Sequence, residues 1–169
     1  MTSAPLIELN DGNSIPQLGL GVWQLTDEEA TAAVSDALET GYRHIDTAAI
    51  YRNETGVGRA IAASALPRDE IFVTTKLWNK AQGRDLARSG LERSLEKLGL
   101  DHVDLYLIHW PCPAQDKYVE TWEQLIDFRS EGLARSIGVC NFLPGHLDAI
   151  VDETGITPAI DQIELHPTF

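Results

Sequence analysis

Positive charge is scarce in this chain. Lysine and arginine number 13 against 26 aspartates and glutamates, a formal net charge of −13. That balance excludes a general basic face for nucleic acid or for an anionic membrane surface, so neither is expected as a partner. Long apolar runs are also missing. None approaches the ~18 residues that a membrane span needs. The opening MTSAPLIELNDG has neither the charged nor the apolar region of a signal peptide. There are two cysteines, Cys112 and Cys140. They make no disulfide framework, and a reducing cytoplasm is the expected compartment. No Walker A sequence occurs. Gly19-Leu20-Gly21 follows a strand-like run but lacks the third glycine of a dinucleotide fingerprint, and Gly56-Val57-Gly58 falls at a helix start. No metal site is expected.

What is present suits a soluble globular protein: 169 residues, 43% hydrophobic and 23% charged, enough for a core. One domain is expected over 1–169, without linker or low-complexity tract. Residues 6–20 hold two short apolar runs around Asn10-Asp11-Gly12-Asn13, a hairpin signal. Leu18 to Trp23 reads as a strand. Thr26 and Glu29 form a capping box that opens a helix through Ala30, Ala33, Val34, Ala37 and Leu38, and Gly41 stops it. The same alternation then repeats. Strands are expected at 43–47, 71–76, 103–109 and 135–140. They alternate with helices in 53–65, through Leu91, Leu95 and Leu98, through Tyr118, Trp122, Leu125 and Ile126, and from Pro144 to Gly155. A last strand is expected at Ala159 to Leu165.

Such alternation means an α/β fold with parallel strands and helices outside. Asp46, Lys76, His109 and Asn141 follow one another at intervals of 30, 33 and 32 residues. An eight-fold barrel has a period of roughly 31, so the spacing favours a TIM (β/α)8-type barrel over an open sheet. Here it is incomplete, with about six βα units after an N-terminal β-hairpin. In such barrels chemistry sits at the C-terminal ends of the strands. Asp46, Lys76 and His109 stand at such ends, and Tyr51 lies in the loop behind Asp46.

A phenol has a reference pKa of ~10, and a neighbouring ammonium favours its ionised form. Lys76 supplies the ammonium, Asp46 holds it charged and aimed, and His109 can donate to the same substrate oxygen. The set suits a carbonyl oxygen that gains negative charge and then a proton, as on hydride delivery to an aldehyde or ketone. None of these side chains supplies hydride, which implies a nicotinamide cofactor. Taken singly, each residue has an ordinary role: Asp46 an N-cap, Lys76 a solvated rim lysine, His109 a packed turn residue, Tyr51 a surface tyrosine. Their joint placement argues for chemistry.

The segments GYRHIDTAAIYRNE, FVTTKLW, DLYLIHWP, SIGVCNF and DQIELHP, in this order, resemble those of the aldo-keto reductases over the whole 169 residues. The N-terminal DGNSIPQLGLGVWQ is similar to the bacterial 2,5-diketo-D-gluconate reductase branch. The resemblance implies NADP(H)-dependent reduction of aldehydes and ketones, with Asp46, Tyr51, Lys76 and His109 as the catalytic tetrad and Tyr51 as general acid. It implies that Cys140, Asn141 and Gln162 line the nicotinamide carboxamide, and that Trp23, Trp78 and Trp110 wall the pocket for a small-molecule carbonyl substrate. Trp122, at core spacing on a helix, is read as packing. Cys140 stands where the family usually has serine, and a thiol is the weaker donor.

The family closes eight strands, whereas six are counted here. Its last two units carry the aromatic that stacks on nicotinamide and the basic residues that hold the adenosine 2′-phosphate. The resemblance therefore implies a monomer for the full-length form, and a shortened chain that is inactive or self-associating. Two other readings stay open: a Schiff-base aldolase through Lys76, against which the Asp46 pairing argues, and a non-catalytic, nucleotide-binding regulatory relative.

Overall fold

The computed structural model describes residues 4–167. The first three residues of the N-terminal stretch read above, and Phe169 at the other end, lie outside the described residues.

The chain opens with an antiparallel hairpin, β1 (Leu6–Glu8) and β2 (Ser14–Pro16), turned at Asp11-Gly12 as the sequence predicts. Six parallel strands follow in simple order: β3 (Gly19–Gly21), β4 (His44–Asp46), β5 (Phe72–Leu77), β6 (Val103–Ile108), β7 (Ala134–Cys140) and β8 (Asp161–Gln162). The helices between them are α1 (Asp27–Thr40), α2 (Glu54–Ala63), α3 (Arg84–Leu98), α4 (Tyr118–Ser130) and α5 (Pro144–Thr154). The sheet is thus an arc of a barrel. Among the described residues, β3 pairs with β4 alone and β8 with β7 alone.

Local chemistry sets the boundaries. Thr26 accepts from the Glu29 N–H and Glu29 Oε2 accepts from the Thr26 N–H, closing the capping box. Gly41 ends α1 at φ 105°, a left-handed conformation that costs a glycine nothing. The central strands β5, β6 and β7 are buried on both faces, as a barrel covered by helices requires. Alternation then sorts their side chains into two layers. Val73, Leu77, Tyr106 and Ile108 face outward into the main core with Val34, Val57, Leu91, Trp122 and Phe128 from the helices. Leu105, Leu107 and Cys140 face inward, where Leu9 and Ile15 of the hairpin join them. Trp122 is fully buried, as its helical spacing predicts.

The hairpin seals the end of the barrel where the strands begin. Asn13 Nδ2 donates to the Arg135 carbonyl (3.2 Å) and to Ser136 Oγ (3.0 Å), and Asn10 Nδ2 donates to the Pro158 carbonyl (2.9 Å). The opposite end, where the strands finish, stays free for the site.

One element departs clearly from expectation. The last strand spans Asp161–Gln162 rather than 159–165. The Ala159 N–H and the Ile160 carbonyl already bond to β7, at 2.9 Å each, but β8 has a neighbour on one side only and its regular ladder does not extend past Gln162.

Candidate active site

Asp46, Lys76 and His109, singled out by spacing, and Tyr51 in the loop behind Asp46 arrive at the same end of the arc. Asp46 is the last residue of β4, Lys76 is next to last in β5, and His109 directly follows β6. Tyr51 closes a short 3-10 turn, Ala49–Tyr51, behind β4. Phe72, Thr74 and Lys76 alternate with the outward residues of β5, which aims Lys76 into the barrel.

Lys76 is a deeply buried charge. Its side chain is 2% exposed and that of Asp46 is 14% exposed. The ammonium donates to Asp46 Oδ1 and to the Thr47 carbonyl, the latter at 2.9 Å. It stands 5.3 Å from the centre of the Tyr51 ring, close enough for attraction to the ring face. The Tyr51 and His109 rings meet edge to face at 5.7 Å, and Trp78 meets the other side of His109 at 5.3 Å. Tyr51, Lys76, His109 and Trp78 therefore form one contiguous cluster around the pair with Asp46.

Electrostatics correct one expectation. The Lys76 ammonium does pull the Tyr51 phenol down, but burial acts more strongly in the opposite direction and Asp46 adds to it. The phenol ends above its ordinary value and keeps its proton at neutral pH. His109 is pushed down to about 4, first by burial and then by the Lys76 charge, so its imidazole is neutral. A neutral imidazole still carries one N–H and donates without adding charge. Its Nδ1 is buried and has no hydrogen-bond partner among the described residues.

The residues assigned to the nicotinamide carboxamide lie beside this cluster. Gln162 Nε2 donates to Asp46 Oδ2 at 2.9 Å, and Cys140 Sγ donates to Gln162 Oε1 at 3.8 Å. Asp46 is thus shared between Lys76 and Gln162, a link between residues 116 apart that no local pattern announces. Burial pushes the Cys140 thiol up to about 12, which makes it an inert donor rather than a nucleophile. Asn141 adopts φ 61° and its Nδ2 donates to the His109 carbonyl at 3.1 Å. These amides are the donor and acceptor types that an amide ligand needs. Beyond Arg135 the sequence contains no lysine or arginine, so the segment carrying Asn141 and Gln162 holds no cation for a phosphate.

Of the three tryptophans assigned to the pocket wall, Trp78 is half-buried against His109, whereas Trp23 and Trp110 stand at the rim, 67% and 46% exposed. Thr47, whose carbonyl holds Lys76, went unnoticed in the sequence, since a backbone acceptor leaves no residue-type signal.

Comparison with known proteins follows the same line. The profile of the Aldo/keto reductase family matches residues 17–168. A Yersinia pestis protein named methylglyoxal reductase DkgA is 60% identical over 167 residues, which is 99% of this chain and 60% of that protein. An aldo/keto reductase crystal structure from Brucella melitensis superposes with a TM-score of 0.97 at 54% identity, covering 100% of this chain and 64% of that one. A Bombyx mori aldo-keto reductase in complex with NADP does so with a TM-score of 0.89 at 46% identity, covering 98% and 59%. The chain spans about 60% of the length of the curated relative it matches.

Proposed function

Since this chain belongs to the aldo/keto reductase family, we propose that it carries the proton-donating half of an NADP(H)-dependent carbonyl reductase. One observation carries the reading: a buried ammonium held by Asp46 and the Thr47 carbonyl, against the ring of a phenol that itself meets a neutral histidine.

Bound NADPH supplies the hydride. The protein's own residues do the rest. Asn141 and Gln162 offer amide groups to the carboxamide, and accepting that ligand requires Gln162 to exchange its bond with Asp46. A substrate carbonyl oxygen placed between Tyr51 and His109 meets two donors, the phenol O–H and the imidazole N–H. As charge develops on that oxygen, both bonds strengthen. The phenol then gives its proton, and Lys76 steadies the phenolate that remains. The proton is available because Tyr51 sits above its ordinary value. The substrate is a small aldehyde or ketone, with methylglyoxal the first to try, since a relative is named for it. The grip on the cofactor's phosphates comes from outside residues 136–169. Schiff-base chemistry at Lys76 is disfavoured, because it needs a free amine and this one is a paired ammonium.

The test is a fusion of residues 1–169 to the part of the Yersinia pestis relative that lies beyond the matched region. The fusion should oxidise NADPH when given methylglyoxal, followed at 340 nm. Its Tyr51→Phe variant should bind NADPH as well and show no turnover. Reduction by that variant at the parent rate would exclude Tyr51 as the proton donor.

A further inference from the structure

The Asn53 side chain is completely buried one turn below the site, and every polar atom it has is used. Nδ2 donates to the Val22 carbonyl at 2.7 Å and to the Leu25 carbonyl at 3.0 Å. Oδ1 accepts from the Thr47 hydroxyl at 2.8 Å. Only one orientation of the amide satisfies these neighbours, because two carbonyls accept and cannot donate. Asparagine ahead of a helix usually caps it. Here the side chain makes no cap bond to α2 and turns inward instead.

What the amide grips is a strained turn. Leu25 N–H bonds back to the Val22 carbonyl at 3.3 Å, so Val22-Trp23-Gln24-Leu25 is a β-turn with Trp23 at its first corner. Its second corner, Gln24, has φ 66°. That conformation suits glycine and costs another residue on the order of 1–2 kcal/mol. The turn is therefore poorly maintained by its own sequence, and Asn53 clamps both its first and its last carbonyl. The other end of the amide reaches Thr47, whose own carbonyl holds the Lys76 ammonium at 2.9 Å. Arg52, at φ 61°, supplies the reversal that lets Tyr51 remain on the site side while Asn53 points into the core.

We propose that Asn53 is a positioning residue: one buried amide fixes the Trp23 turn at the rim to the Thr47 carbonyl that aims Lys76, so that the pocket wall and the charge beside the proton donor are set together. This rests on the site reading given above, in which Trp23 borders the substrate and Lys76 attends Tyr51.

The test needs no turnover and so stands or falls apart from that reading. The 169-residue chain is labelled with 5-fluorotryptophan, and its Trp23 resonance is identified through Trp23→Phe. The buried Lys76 ammonium is followed by its 1H–15N signal, identified through Lys76→Met. Two variants cut the relay at different links. Asn53→Asp keeps an acceptor for Thr47 and loses both donors to the turn. Thr47→Val keeps the turn bonds and loses the hydroxyl link. Each variant should disturb both probes: the Trp23 resonance moves toward its solvent-exposed position and narrows, and the Lys76 signal broadens as its exchange quickens several-fold. A purely structural role would lower the melting temperature and leave both native signals in place below it. The proposal is overturned if each variant disturbs only the probe nearest to it, or if neither probe responds. Should Asn53→Asp not fold, Thr47→Val, which is nearly isosteric, decides alone: an unmoved Trp23 resonance refutes the coupling.

Discussion

Asp46→Asn should destabilise the protein far more than Lys76→Met, although both remove the same ion pair. The reason is the asymmetry of burial. The Lys76 side chain is 2% exposed, whereas Asp46 keeps 14% and a second partner in Gln162. Neutralising Asp46 leaves a full positive charge in the barrel with the Thr47 carbonyl as its remaining partner. Breaking a buried pair in this way costs about 3–5 kcal/mol. For a chain of this size that is a fall in melting temperature of roughly 6–20 °C. Removing Lys76 instead leaves a carboxylate that still accepts from the Gln162 amide and touches solvent, and methionine fills most of the vacated volume. Its cost should be about 1–2 kcal/mol, the penalty of one under-satisfied polar group. The double variant, with no charge left to strand, should lie within about 1 kcal/mol of Lys76→Met alone, a strongly non-additive cycle. Urea unfolding followed by circular dichroism measures all three, with an unchanged slope showing that stability alone has moved. If Asp46→Asn proves no worse than Lys76→Met, or the two costs simply add, burial of Lys76 does not govern the pair.

Three further outcomes follow from other parts of the structure. His109 is held at about 4 in the folded chain against an ordinary value of ~6.5, so below that value the unfolded chain takes up a proton that the native state refuses. Stability should therefore fall as pH drops from about 6.5 to 4, by about 2 kcal/mol at pH 5 and less with screening at the rim, and His109→Gln should flatten this part of the urea-midpoint profile. Gly58→Ala would put a methyl carbon 2.4 Å from the Leu98 carbonyl and force α2 off α3, whereas Gly145→Ala meets nothing within 4 Å. The first should unfold many degrees earlier and the second within a degree or two of the parent, and equal melting curves would show that the helices are not in close contact. Finally, Cys112 should be alkylated by iodoacetamide in the native chain, while Cys140, buried with its thiol pushed up to about 12, should react only after unfolding. Mass spectrometry of the two tryptic peptides decides this.

The gathering of Asp46, Lys76 and His109 at one end of the arc was legible because barrel geometry writes itself into intervals. One strand and one helix take about 30 residues, so ionisable groups recurring at that period share an end of the barrel. Residue type and alternation sufficed for Asp46, Lys76 and His109. The balance of forces on Tyr51 was not legible: the sequence shows the ammonium that lowers a phenol, and burial, which wins, exists only in three dimensions. The same holds for Gln162, whose bond to Asp46 joins β8 to β4. Asn53 carried no signal of its role. Standing before a helix it reads as a cap, and its inward rotamer depends on carbonyls 28 and 31 residues away. The extent of β8 was overestimated because an apolar run predicts burial and says nothing of whether a neighbouring strand is there to pair with it.

The N-terminal hairpin has a consequence for the order of assembly. It leaves the ribosome well before its partners, for its side-chain bonds run to Arg135, Ser136 and Pro158. A two-stranded hairpin is marginal by itself in water. At ~5–20 residues per second it waits on the order of 10 seconds before its acceptors have been synthesised. The seal at the bottom of the barrel is therefore a late event, contingent on β7 and the turn at Pro158 having formed. Amide-hydrogen exchange in residues 6–16 would act as a clock for formation of β7 and the Pro158 turn, since full protection there cannot precede them. A nascent chain stalled near residue 130 would have Leu9 and Ile15 exposed with nothing to cover, and would be a natural client for a chaperone.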